Sequence, residues 1–118
     1  MSESSIKAID GSIDEGIPIL VSPITAWERG LLAAKGRIAS PLPPKRWFEL
    51  LLSQRGVELA EMSLDILVDS SFLPGQLQGD PADRIIIATA RALDLTVSTR
   101  DHAILDYAAQ GHVRALAC

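Results

Sequence analysis

The chain has 118 residues, of which 47% are hydrophobic and 22% charged, and its formal net charge is −4. This length fits one domain with its own core, and the apolar content excludes a disordered tail. The negative charge argues against a module that binds nucleic acid only by neutralising phosphates, but not against a nuclease whose acidic residues hold cations.

We expect a single domain over residues 1–118, with a polar N-terminal segment over residues 1–16 that is helical or poorly ordered. No apolar run approaches the roughly 20 residues that span a bilayer, and the polar start does not resemble a signal peptide. The single cysteine, Cys118, cannot form an internal disulfide. These features predict a cytoplasmic protein that does not enter the membrane.

The first half of the chain is predicted to begin with a strand and a helix. Residues 17–21 are short, apolar and rich in β-branched side chains, which is typical of a buried strand. Ser22 and Pro23 then form a favourable helix start, with a capping side chain followed by proline at the first helical position. A helix is therefore predicted over residues 24–35, ending at Gly36. After a proline-rich linker we expect a helix over residues 45–55, a more exposed strand over 57–61 and a helix over 63–71.

The second half begins its regular structure with Asp80-Pro81-Ala82-Asp83, a strong helix start with an Asp cap, a proline and a carboxylate in the first turn. The predicted elements are a helix over residues 82–93, a strand over 95–99, a helix over 102–109 capped by Asp101, and a strand over 113–117. Strands that alternate with helices favour parallel pairing with helices on both faces. The predicted class is α/β, a three-layer αβα sandwich with a mainly parallel sheet.

Acidic residues lie near the carboxyl ends of the predicted strands, where α/β sheets usually carry their functional groups. Glu28 follows the first strand, Asp101 follows the strand that ends at Thr99, and Asp83 opens the helix between them. Carboxylate oxygens are the ligands that Mg²⁺ or Mn²⁺ prefers. Each residue also has a purely structural explanation, since Asp80 and Asp101 can be helix caps, Asp83 can favour the helix dipole and Glu28 can be solvated.

The motifs VSPITAWE (residues 21–28), GDPADRIIIATA (79–90) and VSTRD (97–101) resemble successive signatures of PIN domains. The resemblance is closest to VapC-like toxins and covers the chain from about Ile17 onwards. It implies a Mg²⁺- or Mn²⁺-dependent endoribonuclease of a toxin–antitoxin system, whose partners are an RNA substrate, a VapB-like antitoxin and a second copy in a homodimer. The catalytic and metal-binding residues that it implies are Glu28, Asp83 and Asp101, surrounded by Asp80, Arg84, Thr99 and Arg100.

This sequence departs from the family in one place. Family members begin with a strand that lies at the centre of the sheet and ends in an aspartate, and nothing in residues 1–15 matches it. We expect a shortened chain with impaired activity, in which dimerisation covers exposed surface. The sheet closing around the gap, or a second copy supplying the pairing, are the alternatives. The alternative function is a non-catalytic, degenerate PIN-like interaction or dimerisation domain.

Two tryptophans and two arginines carry further expectations. Trp27 and Trp47 are predicted to pack in the core rather than to stack on RNA bases. Arg84 and Arg100 are predicted to pair with the neighbouring carboxylates, because an unpaired acidic cluster is costly.

Overall fold

The computed structural model describes residues 7, 11, 14–37 and 41–117. Strand β1 (Ile19–Val21) leads directly into helix α1 (Pro23–Ala34). The Ser22 side chain caps this helix by accepting a hydrogen bond from the Ile24 N–H at 3.3 Å, as its sequence position predicts. Gly36 follows the helix with a φ of 68°, a left-handed conformation that glycine adopts without a steric penalty.

Three further elements complete the first half of the chain. Helix α2 (Pro44–Leu52) ends earlier than predicted, and Ser53 caps its last turn by donating from its hydroxyl to the Leu50 carbonyl. Strand β2 (Val57–Leu59) and helix α3 (Leu64–Asp69) follow. Each of these three elements is of the type that the sequence predicts, because clear start and stop residues flank it in the sequence.

The second half contains helix α4 (Pro81–Leu93), strand β3 (Thr96–Thr99), helix α5 (His102–Ala109) and strand β4 (Arg114–Ala117). Asp80 caps α4 by accepting from the Asp83 N–H at 2.9 Å, and Asp101 caps α5 by accepting from the Ala103 N–H at 2.8 Å. Both capping roles are therefore observed. They do not exclude a second role for either carboxylate.

The strands pair in parallel, but in two separate sheets. β1 lies beside β2 with Ile19 opposite Val57, and β3 lies beside β4 with Thr96 opposite Arg114. Within the described part of the chain no backbone ladder joins the two sheets. The predicted α/β class is confirmed. The described strands do not form one sheet that closes around the gap, which was one of the alternatives.

The largest fully buried side chains among the described residues lie in the second half of the chain. Ile87, Ile104 and Tyr107 are almost wholly buried and contact one another, and the Tyr107 hydroxyl donates to the Pro74 carbonyl. The half-buried side chains around them are Leu73, Leu77, Val97, Val113 and Ala115. Among the residues that the structure describes, no helix is both long and apolar enough to cross a membrane.

The expectation that both tryptophans belong to the core is wrong for Trp27, whose side chain is 54% exposed. Trp47 is half-buried, and the guanidinium of Arg29 lies 3.6 Å from the centre of its ring. The aliphatic content of the chain fills the core without Trp27. The predicted polar segment over residues 1–16 lies largely outside the described residues, where only Lys7, Gly11 and residues 14–16 are placed, all exposed.

Candidate acidic metal site

Acidic side chains from three elements meet near the carboxyl ends of β1 and β3. Glu28 lies in α1, which follows β1, and Asp101 comes two residues after the end of β3. Asp83 lies in the first turn of α4, beside its cap Asp80. The charges of these carboxylates act on one another, since Asp80 and Asp101 both affect Glu28 and all three affect Asp83. The residues singled out in the sequence are thus neighbours in the fold.

Asp83 is the most enclosed member of this group. The residue is 8% exposed, and its side chain is hydrogen-bonded to the side chain of Asp101. Two carboxyl groups can share a hydrogen bond only if one of them carries a proton. At pH values below about 7 the pair therefore holds a proton, whereas two carboxyl groups exposed to water would both be ionised well below that pH.

The pKa of Asp83 is correspondingly raised, from the usual 3.8 to about 7. Burial is the largest cause, followed by the hydrogen bond with the Asp101 side chain, and then by the negative charges of Asp101, Asp80 and Glu28. The pKa of Glu28 is also raised, first by burial and then by the charges of Asp80 and Asp101. The site carries more negative charge than its surroundings compensate.

Local hydrogen bonds fix the direction of Asp101. The Thr99 hydroxyl oxygen accepts from the Asp101 N–H at 3.0 Å, while the Asp101 carboxylate accepts from the first turn of α5. Thr99, predicted as a surrounding residue, thus holds the turn that carries the acid. Because the turn is fixed at both ends, the Asp101 side chain meets Asp83 without a large loss of conformational freedom.

The two arginines lie differently from the expectation. The Arg84 guanidinium donates to the carbonyls of Ser70 and Leu77, each at 3.4 Å, and so contacts the segment between α3 and α4. Arg100 is exposed to solvent. Arg84 therefore supports the backbone that leads to the Asp80 cap, and in the described contacts it does so through carbonyl oxygens instead of the predicted carboxylates.

Gly79 is a site residue that the sequence reasoning missed. A Cβ atom at this position would lie 2.9 Å from the Cβ of Asp83 and 3.3 Å from its Oδ2. The absence of a side chain thus lets the backbone pass against the buried acid. The available signal was its position directly before the Asp-Pro cap, where close approach of backbone to a functional side chain favours glycine.

The residues fit a divalent cation in their chemistry, because they supply hard oxygen donors and an excess of negative charge that a cation would relieve. The positions of these residues fit a cation less well than their chemistry does. Within residues 7, 11, 14–37 and 41–117, no three His, Cys, Asp or Glu side chains are grouped as a set that could hold one ion. The pair Asp83 and Asp101, with Glu28 nearby, would thus hold a cation through few direct contacts, with water as the remaining ligands.

The family model of the PIN domain matches residues 2–110, which is most of the chain. No curated protein and no solved structure gives a significant match.

Proposed function

Because this chain belongs to the PIN-domain family, whose members have a nuclease-type function, we propose that it is a Mg²⁺- or Mn²⁺-dependent endoribonuclease of a toxin–antitoxin system. The observation that carries the proposal is the buried Asp83, hydrogen-bonded to Asp101 with a pKa of about 7. In a purely structural role, the position of Asp83 beside other carboxylates would do little to stabilise the fold. A cation that replaced the shared proton would offset the negative charge of the cluster and so stabilise it.

In this proposal Asp83, Asp101 and Glu28 hold the cation, and Asp80, Thr99 and Arg84 fix the backbone around them. A bound Mg²⁺ or Mn²⁺ supplies Lewis acidity, which lowers the pKa of water and neutralises charge on a phosphate. The chain's own contribution is to keep the acids at one point and to release the proton of the Asp83–Asp101 pair near neutral pH. Because few protein ligands are available, we expect slow cleavage.

The proposed partners are an RNA substrate, a VapB-like antitoxin and a second copy of the chain, all in the cytoplasm. Exposed apolar side chains support a protein partner. Leu64 is 75% exposed, Val68 51% and Phe72 79%, on and directly after α3. Large apolar side chains exposed close together mark an interaction surface more often than a free one.

The second candidate is a non-catalytic PIN-like interaction domain. It is favoured by the lack, among the described residues, of three ligands that could hold one ion. In that case the acidic cluster would be an ancestral feature whose proton sharing is its resting state, and the exposed apolar surface near α3 would carry the function.

Titration with Mn²⁺ combined with an RNA-cleavage assay separates the two candidates. We expect saturable Mn²⁺ binding with proton release at pH 7, and RNA cleavage that requires the metal. Asp83→Asn should abolish both. Asp106→Asn, which removes an exposed carboxylate from α5, is the matched control and should leave both unchanged. Absence of cleavage at saturating Mn²⁺ would contradict the ribonuclease proposal, and absence of saturable binding would also contradict the metal site.

A further inference from the structure

The loop between α3 and α4, residues 70–80, leads to the acidic site. It contains no helix or strand and ends at Asp80, the cap of α4. The residue before this cap, Gly79, lies so close to Asp83 that a Cβ atom there would come within 2.9 Å of the Asp83 Cβ. The course of this segment, which we call the α3–α4 loop, therefore decides what covers the most enclosed acid of the site.

The side chain of Gln110 holds the middle of the α3–α4 loop at two points. Its Oε1 atom accepts a hydrogen bond from the Gln76 N–H at 3.1 Å, and its Nε2 atom donates to the Gln76 carbonyl at 2.7 Å. An amide side chain that both accepts and donates in this way takes the place of a paired strand for one loop residue. The two bonds also fix the orientation of the Gln110 amide, because the flipped amide would set donor against donor.

The α3–α4 loop lies very close to the last turn of α5 beside this pair. Gly75 has a φ of 72°, and a Cβ atom at this position would lie 2.7 Å from the Gln110 Oε1 atom and 2.7 Å from the His112 Nε2 atom. The Tyr107 hydroxyl donates to the carbonyl of Pro74. The loop is thus held at successive residues at the C-terminal end of α5, and only a glycine permits an approach this close.

From this end of α5 the loop runs towards the other end. Asp101, which caps the start of α5, is hydrogen-bonded to Asp83, and Asp83 lies against Gly79. From Asp101 to Gln110 the helix is about 13 Å long, whereas the chain from Gln76 to Gly79 can span at most about 11 Å. No turn or bend interrupts this stretch. It therefore has little slack, so a shift at Gln76 displaces Gly79.

We propose that Gln110 is a positioning residue for the acidic site, on which it acts by holding the backbone of Gln76 so that Gly79 stays against Asp83. The positioning of the carboxylates does not depend on what they bind, whereas its effect on a cation rests on the proposed function. When the amide of Gln110 is removed, the loop leaves α5, water reaches Asp83 and the acids are no longer held at one point. If Gln110 only satisfied two exposed backbone groups, its loss would leave the acidic site unchanged.

Amide hydrogen exchange, measured for each residue by NMR, tests the positioning without a metal. Gln110→Met keeps the length of the side chain and removes both hydrogen-bonding groups. In this variant the Asp83 N–H, which donates to the Asp80 carboxylate at 2.9 Å, should exchange about tenfold faster. The Ala103 N–H, which donates to Asp101 at 2.8 Å at the start of α5, should exchange at its native rate.

Two more variants accompany Gln110→Met. Gly75→Ala should also accelerate exchange of the Asp83 N–H, because the added methyl group overlaps the Gln110 side chain and is strained at a left-handed φ. Gln54→Met is the matched control, since the Gln54 amide donates to the Leu50 carbonyl in the first half of the chain; it should leave exchange at Asp83 unchanged. The proposal is overturned if Asp83 exchanges at its native rate in Gln110→Met or Gly75→Ala, or if Gln54→Met accelerates it equally.

Mn²⁺ binding then tests what the positioning does for the site. Gln110→Met should weaken Mn²⁺ binding about tenfold, as the loss of a group that orients metal ligands does. Phe48→Leu, at a buried position in α2, should lower the unfolding midpoint but leave the Mn²⁺ affinity unchanged. Equal Mn²⁺ binding by the native chain and Gln110→Met would overturn the proposal and leave the metal site intact. If the native chain does not bind Mn²⁺, the metal site is wrong, and the exchange rates alone decide the role of Gln110.

Discussion

The buried carboxyl of Asp83 should make the stability of this protein fall as the pH rises. Its pKa is about 7 in the folded chain and 3.8 in an exposed carboxyl. Between these two values the folded protein binds a proton that the unfolded chain has released. The stabilisation from this proton is therefore complete below pH about 4 and is lost as the pH rises through about 7.

The size of the effect follows from the difference between the two pKa values. This difference is about three pH units, and each unit corresponds to about 1.4 kcal/mol, so the upper limit on the change in unfolding free energy is about 4 kcal/mol. Solvent near the site and the sharing of the proton with Asp101 reduce this limit, so we expect about 2 kcal/mol. For a domain of this size that is a fall of about 8 °C in the unfolding midpoint.

Thermal unfolding between pH 4 and pH 8, in the presence of a chelator, measures this fall directly. Asp83→Asn keeps the shape of the side chain but removes the titrating group. In this variant the unfolding midpoint should fall much less as the pH rises. At pH 8 the variant should be more stable than the native chain. Asp106→Asn, in which an exposed carboxylate is removed, should keep the native pH profile. If the native midpoint stays level, or if Asp83→Asn shows the same fall, the assignment of the shared proton to Asp83 is refuted.

Gly79→Ala should destabilise the chain by about 1–3 kcal/mol in urea unfolding, because the new methyl group would overlap the Cβ of Asp83; a stability within experimental error of the native value would contradict this close approach. Ile87→Ala should cost about 2–5 kcal/mol in the same assay, since Ile87 is fully buried, whereas Leu64→Ala, at a 75% exposed position, should cost much less. Added Mn²⁺ should raise the unfolding midpoint more at pH 8 than at pH 5, because the cation competes with the proton at Asp83; an equal rise at both pH values would indicate binding elsewhere.

The helix starts illustrate what local sequence decides. Ser22, Asp80 and Asp101 each cap the helix that follows them, with a side-chain oxygen that accepts from a backbone N–H two or three residues away. Such a bond needs no distant partner, so the residue type and its position suffice to predict it. The alternation of these helices with short apolar strands likewise predicted the α/β class.

The sequence by itself therefore determined the elements, their order, the PIN-like motifs and the candidate acids Glu28, Asp83 and Asp101. Only the tertiary structure decided that the described strands form two separate sheets, that Trp27 is exposed, and that Gly79 passes against Asp83. It also decided the raised pKa of Asp83, because that value depends on burial and on charges from α1 and the end of β3. Strand pairing, burial and electrostatic interactions depend on residues that are distant in sequence, so a local sequence pattern does not predict them.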